Sequence, residues 1–481
     1  MRKVFVKELS VYDSSSLAGE FDITVPRAAE CIEQLTTRGV IKLVNSDIPK
    51  DYDIAHPDFR KGLYQFAYVG LSIFEDLVII VFPKYLDVDT LSESVIRQVF
   101  RVIRKAAGGY SQIAAVSEFG SKSNDRVSLM LYLIELYEEY GLYENEVREL
   151  RQNGPGQISW DRTIAQHTPY VKNGTPVYFD YQTIESVHDK SNLITELHRC
   201  ILTQCYQFMK DCGLGELLAI DDIDLTGSAL DDFGDSGYLM YTLESELDVQ
   251  FVTWKQDVLR LMLRYLNEDD LLVRSDEVIC LGTSSFYHIW ELACKTALSD
   301  RVSDKIRLLP VTLSEKWKDE KSKTLQEIIA NPYWKPADCD KKIALQGTLI
   351  PDIVSVFHHG EKTLFGIFDA KYYRPFFSSQ RVEGLPGIGD ITKQYLYQSA
   401  YGDFIRDNGF SSVQNAFLMP YAGDGIEYAG SLGFPLLDKQ DQPFKPNIDV
   451  FFLPASVVFD CYLDGHPLGN ADMNNLFRVQ G

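Results

Sequence analysis

The stretch from Gly347 to Lys371, GTLIPDIVSVFHHGEKTLFGIFDAK, constrains this chain more than any other. Two runs rich in β-branched and aromatic residues, Thr348 to Phe357 and Thr363 to Ala370, flank a polar turn at His358 to Lys362, the pattern of a β-hairpin. Asp352 follows Pro351 on the first strand, and the second ends in Asp369-Ala370-Lys371. Side chains alternate along a strand, so Asp369 and Lys371 share a face, and Asp352 can sit across the pair from Asp369. Two carboxylates and an ammonium then surround one small volume. Such carboxylates hold hard divalent cations through oxygen. A neighbouring lysine can orient or deprotonate water and stabilise charge on a phosphodiester under attack. By itself an Asp-x-Lys triplet is common; the Pro-Asp on the preceding strand makes it specific.

The longer context carries a family likeness. TSSFYHIWE at 283–291, PDIVSVF at 351–357, FDAKYY at 368–373 and DITKQYLYQ at 390–398 together resemble the nuclease subunits of McrC and LlaJI-type restriction systems, with a PD-(D/E)xK core. The resemblance is strong over residues 275–481 and loose before them. It implies metal ligation by Asp352, Asp369, the Ala370 carbonyl and Glu291, the last from the first helix of the core. It implies that Lys371 handles the attacking water and that Gln394, on the helix after the Asp-x-Lys strand, helps place metal or phosphate. The implied cofactor is Mg²⁺, with Mn²⁺ as a substitute, and the implied partner is a McrB-like AAA+ GTPase ring. The reaction would be cleavage of DNA in a bacterial restriction system; a metal site of this kind does not itself distinguish RNA.

At 481 residues two or three domains are expected. We read 1–150 as an N-terminal α+β region for partner engagement, 151–274 as a strand-and-helix connecting region, and 275–481 as the α/β nuclease domain, a mixed sheet flanked by helices. The formal charge of −22 argues against a freestanding nucleic-acid binder, because such a chain repels phosphate and affinity rests on Lys and Arg contacts. If it cuts DNA, something else brings the DNA.

The longest strongly apolar run, Leu77 to Phe82, is too short to span a bilayer, and MRKVFVKELS lacks a signal-peptide core. Eight cysteines form no CxxC pair and read as reduced core residues of a cytoplasmic protein. His198, Cys200, Cys205 and Cys212 cluster on one predicted helix without the spacing of four ligands. No Walker motif is present, and Gly120 to Ser123 lacks the Gly-Lys-Ser/Thr order, so the chain should bind no nucleotide.

In chain order, Val25 to Leu43 reads as helix, glycine, strand: either a small α/β unit or the end of a winged helix, which would bind DNA or protein. Gly62 to Leu86 reads as an antiparallel sheet punctuated at Gly70 and Glu75-Asp76, and its closing FPKY resembles the motor-engaging region of McrC-type subunits. Thr90-x-x-Glu93 predicts a capping box for a helix to Ala107 whose Arg97, Arg101, Arg104 and Lys105 form a basic stripe. QISWDRTI and TPVYFDYQTI read as strands, Asp221 to Glu246 as an acidic connector. In the last region, Ser285 to Leu298 is an amphipathic helix carrying Glu291 at the edge of its apolar side, with His288 packing or capping. Phe376 to Gly389 is a loop able to close over substrate, and Asp390 to Arg406 a helix with Gln394, Tyr397 and Tyr401 on one face and Lys393 beside them. Two alternatives stand beside the nuclease: a non-cleaving scaffold that stimulates its partner's GTPase, and a winged-helix DNA-binding protein.

Overall fold

The computed structural model describes residues 1–44, 63–108, 125–189, 193–218, 220–269, 278–337, 340–377, 382–437 and 447–479. It divides into two compact units: Met1–Gly109 with Glu277–Gly481, and Tyr110–Asp276. Three consecutive regions were expected; instead both ends of the chain build one unit, and the middle is inserted between them.

One strand explains the difference. Leu77–Phe82 is buried along its whole length, as is its hairpin partner Val69–Phe74. Central strands need backbone partners on both edges. Arg2–Lys7 supplies one edge in parallel, and Ile279–Thr283, from beyond the insertion, supplies the other antiparallel. Gly70 does not end a strand as anticipated. It lies inside Val69–Phe74 opposite Gly282, at φ +148°, where an added Cβ would sit 2.3 Å from the Leu281 carbonyl oxygen. Glu75-Asp76 does form the turn, with Glu75 at φ +51°.

Ahead of this sheet, helices Ser14–Glu20 and Val25–Thr37 pack on a three-stranded sheet in which Leu63–Phe66 lies between Val11–Tyr12 and Ile41–Val44. Two helices on a three-stranded sheet make the small α/β unit expected here. Its second helix turns Glu30 and Glu33 outward, while its Arg27 is paired with Glu75 and Asp76.

The second sheet of this unit runs Ile353–His359, Lys362–Ala370, Ser412–Tyr421, Ile448–Pro454, Glu427–Leu432. Its outer pairings are antiparallel and its two inner ones parallel, so it is mixed. Alternation sends Ile353, Phe357, Leu364, Phe368 and Leu418 to one face, beneath helices Phe286–Ala297 and Ala455–Asp464. Val354, Phe365 and Ile367 face the other way, beneath helix Ile388–Asp407 through Tyr397, Tyr401 and Phe404. The result is a helix–sheet–helix sandwich. The edge strand Glu427–Leu432, largely exposed, was not anticipated.

Several local expectations shift. Thr90 closes a 3-10 turn with Asp87, and Ser92 caps the helix Glu93–Ala106 by accepting from Val95 N–H. The basic stripe there is a packed face in part: Arg97 pairs with Glu93, and Lys105 donates to the Tyr462 and Leu463 carbonyls. The first hairpin strand starts at Ile353, not Thr348, past Pro351, which has no N–H to give to a ladder.

In the inserted unit, helices Asp125–Tyr140, Leu193–Asp211 and Thr253–Asp269 carry the core. Trp160–Gln166 is helical rather than extended, with Asp161 in its first turn. Ser236–Leu247 is a helix inside the supposed connector, capped by Asp235. His198 and its cysteine neighbours are buried; His198 Nδ1 accepts the Tyr143 N–H at 3.0 Å, and burial pushes the imidazole down to about 3. They are core residues. Gly120 to Ser123 lie outside the described residues. Among the described residues no helix is long and apolar enough to cross a membrane.

Candidate functional site

The site grows out of hairpin register. Ile353 pairs with Phe368 and His359 with Lys362, leaving a two-residue turn at Gly360-Glu361 with Gly360 at φ +58°. Extending that register by one step sets Asp352 opposite Asp369. The approach to Asp352 is clamped, since Tyr397 Oη donates to the Ile350 carbonyl at 2.8 Å. Asp300 fixes the strand start, accepting from the Val354 N–H at 3.0 Å and the Val302 N–H at 3.1 Å. Trp290 Nε1 donates to the Leu418 carbonyl at 3.2 Å and pins the Phe286–Ala297 helix to the opposite face of the sheet.

Asp369 is 4% exposed. Burial, and then the negative charge of Asp352 within hydrogen-bonding reach, push its carboxyl up to about 7, against the pull of Lys371. Lys371 Nζ lies 3.0 Å from Asp369 Oδ1 and 3.1 Å from Asp390 Oδ1. Burial alone would favour the neutral amine, but the two carboxylates outweigh it and hold the ammonium charged. The contact to Asp369 is an ion pair without hydrogen-bond alignment, and Oδ1 has no hydrogen-bond partner among the described residues.

Asp352, Asp369 and Lys371 are therefore together. Glu291 is near them but otherwise engaged: Lys295 Nζ stands 2.6 Å from its Oε1 and His288 Nδ1 3.7 Å from its Oε2. The charges of Glu291 and Asp352 both reach the Cys294 thiol and the Lys295 ammonium, although the Glu291 helix covers the face of the sheet opposite Asp369. Yet among the described residues no three His, Cys, Asp or Glu side chains form a ready-made metal cluster. His288 is a surface partner of Glu291. Ala370 packs its methyl toward the helical layer opposite Asp369. Lys393 is exposed on the site helix.

Gln394 is fully buried, and neither its Oε1 nor its Nε2 has a partner among the described residues. Its carbonyl and the Gln398 side chain both accept from Asn415 Nδ2, at 3.1 Å and 2.9 Å. The unpartnered buried amide of Gln394 and the facing carboxylates of Asp369 and Asp352 suit a hard cation that takes oxygen ligands. Asp390 is the residue that sequence reading missed. It was visible as the first-turn acid of a helix, but only the fold brings it to Lys371.

Residues 68–452 match the LlaJI restriction endonuclease family. The chain is 26% identical over 420 residues to the Type II restriction enzyme BsuMI component YdjA of Bacillus subtilis (strain 168), spanning 85% of this chain and 83% of that protein. Among solved structures it is similar to a half-complex from the tetradecameric assembly of Thermococcus gammatolerans McrB AAA+ hexamers with bound McrC (TM-score 0.37, 12% identity, 96% of this chain and 99% of that one). The Thermococcus gammatolerans McrBC complex matches at TM-score 0.22 and 13% identity, over 57% of this chain and 88% of that one. Scores this low fix neither fold nor function.

Proposed function

The chain belongs to the LlaJI restriction endonuclease family, and from that premise we propose that it is the subunit that cuts DNA in a restriction system, with a PD-(D/E)xK site dependent on Mg²⁺. The observation that carries this reading is the convergence of Asp352, Asp369 and Lys371 at the end of one hairpin, with Asp369 buried.

Asp352 and Asp369 would hold the cation, joined by the Ala370 carbonyl. Glu291 is the third carboxylate of this reading, and the cation competes with Lys295 for it. Bound Mg²⁺ would supply a water of lowered pKa and neutralise charge on the attacked phosphate. Lys371, kept cationic between Asp369 and Asp390, orients the water and stabilises developing negative charge. Gln394 turns a dry amide toward the same layer and helps place cation or phosphate.

A chain of charge −22 does not gather DNA by itself, which supports delivery by a partner. We assign that role to a McrB-like AAA+ GTPase ring, with the nucleotide bound by the partner and not by this chain.

The test is cleavage by the complete complex. Lys371→Ala should abolish Mg²⁺-dependent cutting while the protein still folds and assembles with its partner, and chelation of Mg²⁺ should abolish it in the unmodified protein. A Lys371→Ala complex that cuts at the normal rate sinks the assignment.

A further inference from the structure

Lys371 is the last residue that the sheet holds: its N–H donates to the Leu418 carbonyl at 2.9 Å, one step beyond the strand Lys362–Ala370. The residues after it are held by the other end of the chain. Tyr372 is buried, with its ring 5.4 Å from Phe286 at the start of the Glu291 helix and 6.4 Å from Tyr85. Its hydroxyl donates to Glu8 Oε2 at 2.5 Å, and the same oxygen accepts the Lys84 N–H at 3.1 Å. Lys84 Nζ stands 4.6 Å from the centre of the Tyr372 ring. Two residues on, Arg374 reaches Asp87 at 2.7 Å and the Lys84 carbonyl at 3.3 Å, while Lys7 also pairs with Asp87 at 3.1 Å.

We propose that this clamp is a positioning device: the Glu8–Tyr372 and Asp87–Arg374 contacts, made by the N-terminal sheet and the Pro83–Asp87 turn, set where the Lys371 ammonium stands. The inference rests on the nuclease reading above. A hydrophobic anchor for the loop would need only the aromatic rings. Sinking the Glu8 carboxylate beside them costs desolvation, and an apolar pair would hold at least as well. What the polar pairing adds is direction. It also means that the FPKY turn is not a free surface, since Tyr85 is buried in the nuclease core and Lys84 covers Tyr372. Anything that shifts the turn shifts the residue next to Lys371, and a displacement near 1 Å at a reacting group can cost on the order of 100-fold in rate.

The experiment uses the full complex at saturating Mg²⁺ and DNA. Tyr372→Phe and Glu8→Ala should each slow cleavage by roughly 10- to 100-fold. The double variant should be no slower than the slower single, because one contact is lost in each, and Glu8→Gln, which keeps an acceptor for the hydroxyl, should recover most of the rate. DNA affinity and partner assembly should not move. Normal rates in both single variants, alongside an inactive Lys371→Ala, would overturn the clamp and leave the nuclease reading intact. So would multiplicative losses in the double variant, which would make the two effects independent. An active Lys371→Ala would instead remove the reading beneath it. If Glu8→Ala does not fold, Tyr372→Phe, which deletes one oxygen atom, decides alone.

Discussion

Burial, and next the facing carboxylate of Asp352, disfavour charge on Asp369 more than Lys371 favours it. The Asp369 carboxyl stands near 7 in the fold against an ordinary 3.8, so the folded state binds its proton more tightly than the unfolded chain does. Without metal, its contribution to stability is therefore present below about pH 4 and is lost as pH rises toward 7. Asp369→Asn should raise the metal-free melting temperature at pH 8, and the gain should shrink as pH falls to 4; a gain independent of pH would refute this origin. Gln394 offers a second residue-scale trade. Its amide is buried with both polar atoms unpartnered among the described residues. Gln394→Leu should therefore stabilise the metal-free protein by about 1–2 kcal/mol in urea titration, while lowering cleavage. A loss of stability would mean that the amide is satisfied within the protein.

At the scale of elements, the two sheets are fixed by different devices. The mixed sheet is patterned: alternation from Ile353 to Phe368 supplies two apolar faces, interrupted within the hairpin by Ser355 opposite Gly366. The N-terminal sheet depends on a close backbone approach at Gly70 and Gly282. Gly70→Ala would drive a methyl into the Leu281 carbonyl and should cost about 3 kcal/mol, read as a lower urea midpoint. An unchanged midpoint would show that the pairing of Ile279–Thr283 can relax.

Over the whole chain, the unit that carries the site is assembled from residues far apart in sequence. Phe286, Trp290 and Phe459 share their core with Phe82, Tyr85, Val99 and Val102 from the segment Met1–Gly109. Expressed alone, residues 277–481 should expose that face and aggregate, and co-expression with residues 1–109 should recover soluble protein. Equal solubility of 277–481 alone would mean that the two ends fold independently.

Legibility in the sequence tracked the range of the interaction. The hairpin, the helix bearing Gln394 and the pairing of Asp352 with Asp369 were readable because a period of two and a short turn act within a few residues. Trp160–Gln166, Ser236–Leu247 and the cap at Ser92 were misread where capping chemistry competed with apolar pattern.

Local pattern therefore determined that a carboxylate pair and a lysine meet at one hairpin end, since strand alternation and register are properties of neighbouring residues. Only the tertiary structure decided that Lys371 is shared with Asp390 and that Tyr372 is clamped by Glu8, whereas Glu291 and Lys295 meet by helical spacing alone. The Glu8–Tyr372 contact joins residues 364 positions apart, and its formation depends on the core that brings the two chain ends together.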